Sequence, residues 1–244
     1  MHIPVTVTEK NNLRLHDRFS YRVEYVGNEK QPVIIVDNYL HSAEVLINYC
    51  EKNLSFVSAG SFYPGVRMPV PALYGKAMFH YLGELIFKVF SVRAQDIRSG
   101  RSLYSMVITP PAELKVAQRL PHCDSADMSD LACVHYLCDS HHGGTSLYRH
   151  KSTGYEYINH ERKDNYVQTL ERDLAATDAP LTYMNGSNDL FEQIASYEAK
   201  FNRMVMYRST SLHSGNIPPD FKFDPNPRTG RLTLNTFINC QQSS

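Results

Sequence analysis

The chain lacks a net charge: Lys plus Arg and Asp plus Glu number 25 each among its 244 residues. No global field therefore draws it to nucleic acid or to an anionic lipid surface, and neither partner is expected. Long apolar runs are missing too. No stretch approaches the ~18 consecutive apolar residues of a membrane span, and Met1 to Lys10 has no uninterrupted apolar core behind a basic start. We expect a soluble, cytoplasmic protein. The few cysteines (Cys50, Cys123, Cys133, Cys138, Cys240) form neither an even set nor a C-x-x-C pair. That disfavours a disulfide framework and a structural zinc site, and leaves reduced thiols as the simplest reading. Internal repeats and low-complexity segments are absent as well. What remains is a chain of a length that suits one sizeable core, within the range of single-domain barrels and sandwiches, so 1–244 is read as one domain.

Periodicity supplies a coarse map. Residues 31–37 (QPVIIVD) form a short apolar run that reads as a buried strand. Residues 41–52 place Val45, Leu46, Tyr49 and Cys50 at helical spacing, with Ser42 as candidate cap. Residues 78–90 read as a second, more apolar helix and 188–200 as a third. Residues 131–138, 145–148, 202–208 and 230–238 read as strands, with a turn at Asp139 to Gly144. Cys133 and Cys138, five apart on a strand, would face opposite ways. Met204 and Met206 read as core packing. The insert 153–187, polar and Tyr-rich, is a candidate lid or substrate wall between core strands, and the aromatic richness of 153–207 suggests a pocket for an organic group.

The residues that most constrain the chemistry are His122-Cys123-Asp124, with His213 ninety-one residues after His122 and Arg231 eighteen beyond that. Two histidines and one carboxylate can hold a non-haem Fe(II) on one triangular face and leave the opposite positions open. In an extended segment residues i and i+2 point the same way, with Cα atoms roughly 6.6 Å apart. His122 and Asp124 can therefore converge on one ion while Cys123 faces away. Arg231, Thr233 and Asn235 share one face of the last strand, a placement suited to a carboxylate. An arginine pointing into an apolar core also needs an anionic partner.

In this order of elements the chain resembles the Fe(II)/2-oxoglutarate-dependent dioxygenases, nearest to the prolyl 4-hydroxylase-like branch. The shared elements are His-x-Asp, a strand ending in Tyr136-Leu137, a Gly143-Gly144-Thr145 turn, a distal histidine and a Gly230-Arg231 strand, over roughly 98 to 240. Through Phe62 to Arg67 and Leu212 to Gly215 it is similar to a bacterial family of uncharacterised proteins in that superfamily. The resemblance implies a mainly β fold with flanking helices: a double-stranded β-helix, jelly-roll or cupin-like core over 98–240, with 1–97 supplying a strand and the helices that buttress one sheet. It implies His122, Asp124 and His213 as iron ligands and Arg231 as partner of the distal carboxylate of 2-oxoglutarate. Tyr136 would help to hold that carboxylate, and Thr233 sits where some members use a serine. Fe(II), 2-oxoglutarate and dioxygen are the implied cofactor and cosubstrates, with succinate and carbon dioxide released and an organic or amino-acid-type substrate hydroxylated.

The chain departs from the family in the long His213-to-Arg231 interval, filled by the Pro-rich 216–229. Such a loop can bulge out and return without disturbing the flanking strands. Otherwise Arg228 takes the place of Arg231. Residues 62–67 read either as a turn or as a segment that carries Tyr63 and Arg67 over the mouth of the site. His141, His142, His150 and His160 are expected to serve loops rather than metal. Two other classes stay open: a non-catalytic ligand-binding β-helix, and a hydrolase or isomerase using the same triad with another metal. A homo-oligomer stays open too, and the substrate is not written in the chain.

Overall fold

The computed structural model describes residues 13–60 and 62–241. The segment Met1 to Lys10, weighed above for a leader, lies outside them. The strands are β1 (Ser20–Val26), β2 (Gln31–Asp37), β3 (Val57–Ser58), β4 (Gly65–Pro69), β5 (Ile97–Val107), β6 (Leu131–Tyr136), β7 (Gly144–His150), β8 (Phe191–Glu198), β9 (Met204–Arg208), β10 (His213–Asn216) and β11 (Leu232–Cys240). The helices are α1 (Glu44–Lys52), α2 (Ala72–Phe90) and α3 (Lys163–Ala176). Among the described residues no helix is long and apolar enough to cross a membrane.

An eight-stranded sheet runs in the order β1-β2-β9-β6-β11-β5-β4-β3, and a three-stranded sheet in the order β10-β7-β8. Every pairing is antiparallel. The small sheet gains a further extended segment where His122 bridges His213. Two sheets joined by crossing connections and packed face to face make the double-stranded β-helix. Alternation then decides what each face does. Ile34, Val36, Cys133, Met204, Met206, Leu232 and Leu234 point outward from the large sheet into a core shared with Leu46, Met78, Leu82 and Ile86 of α1 and α2. Val33, Ile35, Ala132, Val134, Tyr136, Cys138, Val205 and Tyr207 point inward, towards Leu147 and Tyr197 of the small sheet. Cys133 and Cys138 thus lie on opposite faces, and the described cysteines are free thiols.

Two expectations need correction. Residues 188–200 are not a helix: Phe191–Glu198 is β8, paired with β7 from Gly144↔Glu198 to His150↔Phe191. Its Ala and Glu residues favour a helix, but β7 needs a partner on the edge away from β10, and pairing outweighs local propensity. Second, Ser42 does not cap α1, whose N-cap is Ala43 with no side-chain hydrogen bond. The insert, for which no element was expected, contains α3. Tyr166, Leu170 and Leu174 of that helix pack with Leu120, Tyr148, Phe191 and Leu212 on the outer side of the small sheet.

Candidate metal centre

His122 and Asp124 are extended beside β10 because their backbone is pinned there. The amides of His122 and His213 each donate to the other's carbonyl at 2.9 Å, and the Asp124 amide donates to Ser209 O at 2.8 Å. One donor atom each from His122, Asp124 and His213 can be chosen so that all lie within 4.8 Å of one another. The Asp124 carboxylate lies 3.8 Å from His122 Nε2 and 3.4 Å from His213 Nε2. Cys123, between the two ligand candidates, packs against the Leu120, Tyr148 and Ile158 cluster and is outside the donor group.

The two imidazoles are prepared differently. His213 Nδ1 lies 2.9 Å from Ser211 O, and donation to that carbonyl leaves Nε2 bare towards Asp124. Nearly half of the His122 side chain faces open space. Even so, the protein packed around the ring, and then the neighbouring His213, push it down to about 4. Both effects keep His122 neutral at pH 7, the state a metal needs.

A cavity of about 670 Å³ opens in front of these groups, between the two sheets. Arg231 lines it, 4 % exposed. Its Nε donates to His142 O at 3.0 Å and its Nη2 to Gly144 O at 2.8 Å, while no carboxylate pairs with it among the described residues. An ideal Cβ on Gly215 would lie 3.9 Å from Arg231 Nη2. Gly215 and His213 are two apart on β10, so Arg231 sits roughly 6–7 Å along that strand from the second histidine. The Gly143-Gly144 turn is required here. Gly143 has φ +86°, and a Cβ on Gly144 would meet Tyr197 O at 2.1 Å.

Tyr136 and Thr233 face each other across β6 and β11 on the inner face, both fully buried. The Tyr136 hydroxyl donates to Thr145 Oγ1 at 2.6 Å, and its ring centroid lies 6.0 Å from the Arg231 guanidinium carbon. Burial pushes the phenol up to about 12, so it stays a neutral donor. Thr233 donates to Asn235 Oδ1 at 2.9 Å. The Pro-rich loop does bulge out and return: Ile217 and Phe221 fold back against Val107, Leu114 and Tyr183, beside the cavity. Arg228 is drawn away to Glu51 and Asn48 beside α1, which removes it as the substitute. Tyr63 and Arg67 line the cavity from β4 and the turn before it, and of the insert Tyr183 alone does so among the described residues.

His150, read as a loop residue, instead ends β7 fully buried, with Nε2 3.4 Å from Asp173 Oδ2. Arg101 and Phe237, also in the cavity wall, escaped sequence reasoning. The signal was the alternation of β5, where Arg101, Leu103, Ser105 and Val107 share one face.

No curated protein matches the chain. Solved structures with similar folds include HygX from Streptomyces hygroscopicus with nickel and 2-oxoglutarate bound, at 13 % identity and TM-score 0.44, covering 86 % of this chain and 83 % of that one. A Pseudomonas putida prolyl-4-hydroxylase is 10 % identical with TM-score 0.44, covering 96 % and 97 %. The non-heme alpha ketoglutarate dependent carbocyclase SnoK from nogalamycin biosynthesis is 13 % identical with TM-score 0.45, covering 85 % and 79 %. The fold described above stands on the chain's own sheets. Residues 17–238 match the family described as a family of unknown function, DUF6445, and the chain belongs to that family.

Proposed function

We propose that the protein is an Fe(II)- and 2-oxoglutarate-dependent dioxygenase that hydroxylates a C–H bond of a small organic or amino-acid-type substrate. The observation that carries this reading is the donor cluster of His122, Asp124 and His213 in one wall of the cavity. The fit extends beyond the donor set. His213 is held in the tautomer that offers Nε2, His122 is neutral, and Arg231 is a buried cation with no carboxylate partner among the described residues.

Bound together, Fe(II) and 2-oxoglutarate would supply the oxidising power, with dioxygen consumed and succinate and carbon dioxide released. The residues of the chain do the rest. His122, Asp124 and His213 would hold the metal from one side, leaving the opposite side to small molecules. Arg231 would receive the distal carboxylate, its guanidinium already oriented by the carbonyls of His142 and Gly144. The glycine at 215 leaves the strand face open between the metal ligands and Arg231, where a short dicarboxylate has to lie. Thr145 lines the cavity at that end, held from behind by the Tyr136 hydroxyl, and Tyr63, Tyr183 and Tyr207 line the cavity and limit bulk water. Asp124 occupies the position a halide would need, which favours hydroxylation over halogenation.

Anaerobic addition of Fe(II) and 2-oxoglutarate to metal-free protein tests the reading. A weak visible charge-transfer band should form, vanish in His213→Ala, and need more 2-oxoglutarate in Arg231→Ala. No band, together with no 2-oxoglutarate binding by calorimetry, would leave a binding protein or other metal chemistry on this fold.

A further inference from the structure

We propose that Arg67 and Arg101 form the anchor for a carboxylate of the primary substrate, so that the molecule oxidised is an organic acid. The proposal rests on the dioxygenase reading above, with Arg231 committed to the cosubstrate. Among the described residues three arginines line the cavity and Asp124 is the one carboxylate that does. A divalent metal and a dianionic cosubstrate cancel each other, so two of those cations remain unanswered.

Neither the Arg67 nor the Arg101 side chain has an ion pair or hydrogen bond among the described residues, and Arg67 Nε is sealed from solvent. The Arg67 guanidinium carbon lies 4.1 Å from the Tyr63 ring centroid and 5.5 Å from that of Phe237. The Arg101 carbon lies 5.2 Å from the same Phe237 ring. Two like charges thus flank one aromatic ring, and Asp124, whose field reaches Arg67, makes no ion pair with it among the described residues. Stacking contacts the guanidinium face, but its N–H edges are the part that grips a carboxylate in a bidentate pair, and those edges are unused. The aromatic rings would receive the organic body.

The position is distinct from that of Arg231. Arg67 pairs with Ser105, Ser105 with Thr233, and Thr233 with Tyr136, one row across the inner face of the large sheet. Arg67 is therefore two strands from β11, roughly 9–10 Å at the backbone. A cavity of about 670 Å³ is of the size that encloses small organic molecules.

The full chain, loaded with redox-inert Mn(II) and 2-oxoglutarate, would be titrated calorimetrically with 3-phenylpropionate and N-acetylphenylalanine, with the amide of each, and with phenyl phosphate. Each acid should bind at least about tenfold more tightly than its amide. In Arg67→Gln the margin should fall below about threefold, Arg101→Gln and Arg67→Lys should lie between, and 2-oxoglutarate affinity should stay within about twofold of wild type. Arg101 is exposed, so its variant keeps the test open if Arg67→Gln fails to fold. The proposal is overturned if neither acid outbinds its amide, if phenyl phosphate outbinds both acids, or if Arg67→Gln weakens 2-oxoglutarate as much as Arg231→Gln does. Failure of Mn(II) and 2-oxoglutarate to bind the wild-type chain would sink the dioxygenase reading alone. The acid-over-amide margin measured without them, and its loss in Arg67→Gln, would still decide the anion site.

Discussion

His135 should make the stability of this protein fall with acidification in a way that one substitution removes. Its ring is fully buried between α2 and the large sheet, with Nδ1 3.1 Å from the Tyr74 hydroxyl and Nε2 3.1 Å from Asn202 Oδ1. Asn202 Nδ2 donates to Leu40 O at 2.7 Å and its Oδ1 accepts from Leu40 N at 3.0 Å, so the amide cannot flip. Nε2 must then carry the proton and Nδ1 must accept from Tyr74, which describes a neutral imidazole. Burial pushes the group from 6.5 down to about 4. Between those values the unfolded chain binds the proton and the folded chain does not, so stability is full above pH 6.5 and drains as pH falls towards 4. The difference corresponds to about 3 kcal/mol in all, and about 2 kcal/mol of it should be lost between pH 7 and pH 5. Urea unfolding at those two pH values, in EDTA and at fixed ionic strength, measures it for wild type and for His135→Gln. The variant starts less stable, but its drop on acidification should be smaller than that of wild type by about 2 kcal/mol. Other histidines, His122 among them, titrate in both proteins and cancel in the difference. Equal drops in the two proteins would refute the argument.

Arg228→Ala should leave 2-oxoglutarate binding unchanged in calorimetry and leave the urea midpoint close to that of wild type, because its partners Glu51 and Asn48 form a solvent-screened surface cluster away from the cavity. Gly144→Ala should destabilise by about 3 kcal/mol in thermal or urea unfolding, since its Cβ would meet Tyr197 O at 2.1 Å and force β7 from β8. The same variant should weaken 2-oxoglutarate binding, because Gly144 O orients Arg231.

Much of the fold was legible where hydrophobic alternation is local. β2 and β6 fall where their short apolar runs put them and β11 where its alternation did, and β7 and β9 follow the turn and the strand-like run read beside them. The failures share a cause as well. β8 was mistaken for a helix because Glu, Gln, Ala and Ser carry little strand signal, and what holds it extended is β7, more than forty residues earlier in the chain. α3 was missed because Tyr166 and Thr169 are its buried positions, a stripe too thin to stand out. His150 reads as polar turn material until Phe191 and Tyr166 are seen packed around it.

By itself the sequence determined which chemical groups were on offer: a His-x-Asp pair with i, i+2 geometry, a distal histidine after a strand, and an arginine on an alternating strand that would need an anion. Those are statements about residue type and local spacing, which short-range sterics translate directly into direction. Only the tertiary structure decided that His213 hydrogen-bonds across to His122, that Arg228 is drawn off to Glu51, and that Arg67 and Arg101 share Phe237 at the cavity wall. Each of these joins residues far apart in the chain, and sheet register, with the helices and loops it carries, brings them together. Register depends on the sum of all the pairings in the sheet, which no single segment encodes.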